Sequence, residues 1–287
     1  MRIKPVYVAL ISVQLMFATL PIAAKIALRE LSSPALCFLR VAGAALVFAV
    51  LQHLLVGERI RGWRDYMLLA WYSMLGVTIN QTLYITGLTM TTATAAQTLV
   101  AAGPAMTLGI AILLKKEQPT SLKWIGIALA SSGALLLIGL GIQDGHALGN
   151  LLVTANVAVY SLYLVVSRGI LKRYHPLTVI TWIFILGAVG LAPFGMRDTI
   201  ALAPHISWNT FAALLWIIVF PSVGGYYLNM WALTIVESSV VSTFVYLQPI
   251  GTALLAMHFL GEDPSMRIVP AVALIFLGVM VAIRSGK

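Results

Sequence analysis

The sequence predicts an all-α integral membrane protein: ten transmembrane helices, arranged as two inverted five-helix repeats around a central cavity. Three observations carry that expectation. The chain is 60% hydrophobic and 9% charged, with a mean hydropathy of +0.97, a composition from which no water-soluble surface can be made. Apolar runs long enough to cross about 30 Å of hydrocarbon cover almost all of its 287 residues. The third observation is that the stretch Gly87–Ile138 recurs, without a gap, as Ala232–Ile283.

The duplication rests on particular residues. At an offset of 145 positions, Leu88 and Leu233, Thr98 and Thr243, Val100 and Val245, Pro104 and Pro249, Thr107 and Thr252, Glu117 and Glu262, Pro119 and Pro264, and Gly133 and Gly278 are identical pairs. Shared Leu, Ala and Val are expected between any two membrane segments. Two prolines and a glutamate are not, and a recurring period of this kind is the signature of internal repetition. The first two spans of each half align at an offset of 142, which pairs Ser33-Pro34 with His175-Pro176. The units are therefore residues 1–142 and 143–287.

In order, the predicted spans are Val6–Ala27, Pro34–Leu55, Tyr66–Leu88, Thr92–Leu114, Leu122–Leu140, Leu148–Ile170, Leu177–Gly195, Trp208–Thr234, Ser238–Leu260 and Ile268–Ile283. The opening Met-Arg-Ile-Lys resembles the start of a secretory signal. Its repeat partner lies in mid-chain, so the first span reads as structural. Connections such as Gly57–Asp65 and Arg197–Ser207 are too short to form a soluble domain. The single cysteine, Cys37, excludes an internal disulfide.

Charge orients the bundle. Thirteen of the eighteen Lys and Arg residues, among them Arg2, Lys4, Arg59, Arg61, Arg64, Lys115, Lys116, Lys123, Arg168, Lys172 and Arg173, fall on the side of the N-terminus. The positive-inside rule then places both termini in the cytoplasm. The net charge of +9 is spread over short loops, which reads as a topology signal and not as nucleic-acid binding. Five spans per repeat is an odd number, so the second copy crosses the membrane upside down. Inverted repeats of this kind build carriers, with a site at their interface.

Polar side chains in lipid turn towards the protein interior. Span six carries Asn156, Tyr160, Tyr163 and Ser167 at helical spacing, and span one carries Gln14 and Phe17. Span three offers Asn80 and Tyr84, with Gln81 beside them. Span four offers Thr94, Gln97 and Thr98, span eight Tyr226 and Asn229, and span nine Ser242 and Tyr246. Each alone reads equally well as interhelical glue. As a set, with tyrosines and amides larger than glue requires, they point to a lined cavity. Spans two, five, seven and ten look peripheral.

Pro21, Pro104 and Pro249 lie inside spans, where each removes a backbone donor and breaks or hinges its helix. No carboxylate stands at mid-membrane, which disfavours permanent cations as substrates and a carboxylate proton relay. Lys25 and Arg40 fall in the outer half, where they snorkel, pair with Glu30 or Glu262 as a gate, or serve topology alone. The tryptophans Trp63 and Trp208 read as interfacial anchors, and Trp71 and Trp216 as packing residues. Amides, hydroxyls and phenols beside aromatic surface suit a small neutral or zwitterionic metabolite. No cofactor and no metal site is expected.

With its ten spans, its two halves, its Glu-x-Pro breaks at Glu117–Pro119 and Glu262–Pro264, and Thr-Ala-Thr-Ala-Ala-Gln-Thr-Leu at Thr92–Leu99, the chain resembles the drug/metabolite transporter superfamily. Within it, the EamA-type carriers and the YddG-type exporters of aromatic and other amino acids are most similar. The resemblance implies export of small metabolites by alternating access, around a cavity lined by spans one, three, four, six, eight and nine, in a monomer or weak homodimer. The superfamily's four-span multidrug members use a glutamate in their first span. This chain has none before Glu30, which argues against a proton-driven exporter of cationic drugs. A carrier of other drugs, nucleotide sugars or sugar phosphates is the alternative. A polytopic membrane enzyme is disfavoured, because Glu262-Asp263 is the only adjacent acidic pair.

Overall fold

The structure is a computed structural model. It describes residues 5–118, 120–138 and 147–261, together with 270, 273–274, 276–278 and 280–281. Half of the tenth predicted span, Ile268–Ile283, lies outside the described residues, as do Pro119, Glu262 and Pro264.

The described residues form helices and no strand. Helix α1 (Pro5–Ala27) runs through Pro21 unbroken. Helix α2 (Ser33–Leu55) starts where Ser32 accepts a hydrogen bond from the Ala35 amide, with proline in the first turn. Such a cap satisfies one of the amides that a helix start leaves open, and the proline there sacrifices no bond. Helices α3 (Trp63–Ser73) and α4 (Ile79–Thr89) are one run joined by a π-helical stretch, Met74–Thr78. The fourth predicted span is instead two pieces, α5 (Ala93–Val100) and α6 (Gly103–Leu113), with Pro104 in the first turn of the second. Helix α7 (Ser121–Ile138) closes the first half.

Helix α8 (Ala147–Ser167) opens the second half. Helix α9 (Pro176–Leu202) continues beyond the predicted end at Gly195, through Pro193. There Asp198 accepts a 2.5 Å bond from the Ser32 hydroxyl, which anchors the extra turns against the start of α2. Helices α10 (Trp208–Ile217) and α11 (Tyr226–Leu233) are joined by a second π-helical stretch, Ile218–Gly225. Pro221 sits within it, and the Ser222 hydroxyl donates to the Ile217 carbonyl five residues back. Helix α12 (Ser238–Thr243), a 3-10 turn (Phe244–Leu247) and α13 (Gln248–Phe259) complete the described chain, with Pro249 in the first turn of α13.

Irregularity thus falls at matching sequence positions. Adding 145 to 74–78 gives 219–223, inside the second π stretch, and adding it to Pro104 gives Pro249. The halves also interlock. Helix α6 packs on α8, where the Ser161 hydroxyl donates to the Gly103 carbonyl at 3.2 Å. Helix α13 packs on α1, where the Thr252 hydroxyl donates to the Ala18 carbonyl at 2.8 Å.

Surface and interior are the reverse of a soluble protein's. Leu46, Leu54, Leu55, Leu113, Phe194 and Trp208 are largely exposed, while Gln14, Arg40, Asn80, Gln81, Gln97, Asn156, Asn229 and Gln248 are buried. So extensive an apolar perimeter fits lipid. Six helical runs among the described residues are long and apolar enough to span it. Trp71 and Trp216, expected to pack internally, are about half exposed at this perimeter. Trp216 reaches inwards only through its indole N–H, which donates to Thr19 Oγ1.

Candidate functional site

A central cavity lies among α1, α2, α4, α5, α6, α8, α11, α12 and α13. Its free volume is about 80 Å³, several times what one ordered water needs. Helix α8 supplies Asn156, Tyr160 and Ser161, whose four- and five-residue spacings keep them on adjoining faces. Helix α4 brings Asn80, Gln81 and Tyr84, and α11 brings Tyr226 and Asn229. Gln14 and Phe17 come from α1, Gln97 from α5, Ser242 from α12 and Gln248 from α13.

Hydrogen bonds fix these side chains against one another. The Asn156 amide donates to the Asn80 carbonyl at 2.8 Å and ties α8 to α4. Gln97 donates to the Tyr84 hydroxyl at 3.0 Å, Asn229 to the Tyr160 hydroxyl at 2.7 Å, and Gln248 to Gln14 Oε1 at 2.5 Å. Gln81 donates to the Tyr226 hydroxyl and, at 3.2 Å, to Asn80 Oδ1. Gln81 and Tyr226 are 145 residues apart, so the same position of the two sequence copies meets itself at the cavity wall. Phe17 and Tyr160 each stand edge-on to Tyr226, at ring centroid distances of 5.7 and 6.3 Å. The result is a wall of phenol and amide groups with one aromatic flank.

Several groups in this wall are left without a partner among the described residues: Gln97 Oε1, Asn229 Oδ1, Thr107 Oγ1 and Arg40 Nη2. All four residues line the cavity. Buried polar atoms are normally satisfied, so a concentration of open donors and acceptors in one cavity is where a polar guest would be held.

Some residues expected here stand elsewhere. Tyr163 is buried but off the cavity, its ring laid on Gly76, where an added Cβ would meet it at 2.7 Å. Tyr246 is fully buried and turned outwards, sharing a 2.9 Å hydrogen bond with Ser131 of α7. Thr94 does not line the cavity, and the side chain of Thr98 lies outside the described residues. Pro104 and Pro249 sit at the two helix breaks, whereas α1 passes through Pro21.

Contrary to expectation, Arg40 does not snorkel, and it pairs with neither Glu30 nor any other carboxylate among the described residues. It is 1% exposed on α2, a helix expected to be peripheral, and lines the cavity. Its Nε donates to Ser222 Oγ at 2.7 Å and its Nη1 to Gln81 Oε1 at 2.5 Å. Glu30 is occupied instead by the Ser207 amide at 2.7 Å. That bond, ahead of those to the Ser207 and Thr210 side chains, holds its carboxyl below the usual range.

With this geometry in place, comparisons with known proteins add the following. The model of the EamA-like transporter family matches residues 4–139 and 147–284. An uncharacterized transporter of Archaeoglobus fulgidus is 24% identical, over 91% of this chain and 92% of that protein. A second from the same organism is 28% identical, over 70% of each chain. A probable terminal-alkyne amino-acid exporter of Streptantibioticus cattleyicolor is 27% identical, over 78% of this chain and 75% of that protein. A protein of known crystal structure superposes with a TM-score of 0.78 at 16% identity, over 98% of both chains, a likeness of fold alone.

Proposed function

The chain belongs to the EamA-like transporter family, and we propose that it exports small amino acids and related zwitterions, aromatic and apolar ones above all, across a bacterial inner membrane. The single observation that carries this is the cavity: amide, phenol and hydroxyl groups from both sequence copies converge on a pocket inside a lipid-facing bundle. The mixture matches a substrate with hydrogen-bonding ends and an apolar body. The relative named as an amino-acid exporter lends support.

We further take the mechanism to be alternating access between two inverted five-helix halves, 1–142 and 143–287. The coincident π stretches, the helix breaks at Pro104 and Pro249, and the family's match to two separate segments support this reading. Helix breaks give a carrier places at which one half rocks against the other. On this reading the protein works as a monomer or weak homodimer.

Proteoliposomes loaded with labelled amino acids test it. Saturable counterflow of phenylalanine or leucine, with or without a pH gradient, is the expected result. No flux of any amino acid would remove the substrate and leave the carrier. Tyr160→Ala, which opens the aromatic flank and strands Asn229, should cut flux roughly tenfold or more at normal expression. Tyr246→Phe, which removes only the bond to Ser131, should leave it unchanged. Equal losses in both variants would count against the cavity as the site.

Orientation has its own test. Arg59 and Arg61 lie between α2 and α3, and Arg64 in the first turn of α3. Replacing all three with glutamine should scramble the accessibility of a C-terminal tag. Unchanged cytoplasmic labelling would speak against the charge bias as the determinant.

A further inference from the structure

Arg40 is the one charged side chain among the described residues that line the cavity. A cation held inside a membrane protein is costly unless something neutralises it, and such residues mark substrate paths. Among the described residues nothing does so: Ser222 and Gln81 are neutral, and each takes a single bond from the guanidinium. The remaining Nη2 is buried without a partner among the described residues. The guanidinium is nevertheless rigidly placed. Ser222 lies in the π stretch between α10 and α11, and Gln81 is held by Tyr226 and Asn80, so the fork is aimed by both halves of the chain. A planar fork with a free N–H matches one oxygen of a carboxylate. The open acceptors on the same wall, Gln97 Oε1 and Asn229 Oδ1, cannot serve an anion. They suit the hydrogens of an ammonium or of water.

We infer that Arg40 is the anchor for the substrate's carboxylate, and that the carrier selects molecules by their carboxylate, with the ammonium group secondary. The inference rests on the cavity being the transport site. It narrows the substrate class to small carboxylates with an apolar body, amino acids among them. It also accounts for a buried cation with no counter-ion among the described residues: the substrate's carboxylate supplies the counter-charge at the guanidinium.

The test uses the full-length protein in detergent and three probes that share a phenyl body: L-phenylalanine, L-phenylalaninamide and 3-phenylpropionate. Affinities come from ligand-dependent thermal stabilisation, and phenylalanine counterflow is measured in parallel. The wild type should bind both acids at least about 30-fold better than the amide, and Arg40→Gln should bring acids and amide to within about threefold of each other. A purely structural role for Arg40 would weaken all three probes together and leave their ratio alone, which would overturn the inference. Should the glutamine variant lose its monodisperse elution, Arg40→Lys replaces it. That variant keeps the charge and loses the fork, and should weaken the acids about tenfold with no change for the amide; equal weakening of all three overturns the anchor.

Anchor and amino-acid reading can fail separately. If 3-phenylpropionate binds in an Arg40-dependent way and no amino acid moves, the anchor stands and the amino-acid assignment falls. If phenylalanine moves and the variants keep the wild-type preference for acids, the assignment stands and the anchor falls. Binding of neither acid by the wild type removes the anchor outright.

Discussion

Replacing Glu117 with glutamine should destabilise the protein by about 3–5 kcal/mol, the range expected when one member of a buried ion pair is lost. Glu117 follows α6, is 6% exposed, and joins three elements. Its Oε1 accepts from the Ser238 hydroxyl at 2.8 Å and the Ser239 amide at 3.1 Å. Its Oε2 accepts from the Ser239 hydroxyl and, at 3.2 Å, from Lys123 at the start of α7. Lys123 also bonds Glu237, immediately before α12. Glutamine can keep one carbonyl oxygen in place, but it turns an NH2 towards donors and leaves Lys123 with a single, half-exposed carboxylate.

The same substitution should alter the response to acid. Burial pushes the Glu117 carboxyl upwards, but the bonds from Ser239 and Ser238 and the charge of Lys123 outweigh it and hold it below its ordinary value of 4.5. A group whose folded value is depressed stabilises the fold fully above its unfolded value, and that contribution fades as pH falls through the folded one. The wild-type unfolding midpoint should therefore drop as pH is lowered below about 4.5, and Glu117→Gln should flatten that drop. Parallel pH profiles for the two proteins would sink the assignment. The network ties the α6–α7 connection to the start of α12, so on the alternating-access mechanism proposed above it bridges the two halves that move. The variant is thus also expected to change counterflow rate out of proportion to affinity.

The difference between Tyr160 and Tyr246 shows what could be read in the sequence and what could not. Along α8 the helix is regular, and counting by three and four residues from Asn156 finds Tyr160 at the cavity. Counting on from Ser242 runs into the 3-10 turn Phe244–Leu247. A 3-10 helix advances about 20° more per residue than an α-helix, so the projected face rotates away, and Tyr246 ends up on Ser131. The break itself was legible, because Pro104 and Pro249 recur at equivalent positions. The π stretches were not: Met74–Thr78 holds no proline and gives no sequence signal. Tyr163 was misplaced for another reason, since Gly76 offers its ring a niche in the neighbouring helix.

Arg40 was hidden by its surroundings. Between Pro34 and Leu51 the rest of α2 is apolar, and a lone charge in such a helix reads as a residue reaching for the interface. Its real partners, Gln81 and Ser222, are 41 and 182 residues away. One clue was present: no acidic residue stands three or four positions from Arg40, so its helix could not neutralise it.

Adding one methyl group should have opposite effects at two glycines. At Gly195 a Cβ would stand 2.3 Å from the Pro34 carbonyl oxygen and 2.5 Å from Phe38 Cβ, where α9 crosses α2. Neither obstacle is the end of a flexible side chain, so the helices must separate. Gly195→Ala should cost about 2–3 kcal/mol, the upper part of the usual overpacking range, and lower the detergent unfolding midpoint by roughly 5 °C. At Gly109, inside α6, a Cβ would meet nothing within 4 Å. There alanine only restricts the unfolded chain, and Gly109→Ala should stabilise by up to ~1 kcal/mol. Close backbone approach through a small residue is how membrane helices gain contact when lipid is as apolar as their side chains. The pair separates that effect from helix propensity, which favours alanine at both sites. A tolerated Gly195→Ala would mean that α2 and α9 are held apart by more than the geometry allows, and the tight crossing would have to be abandoned.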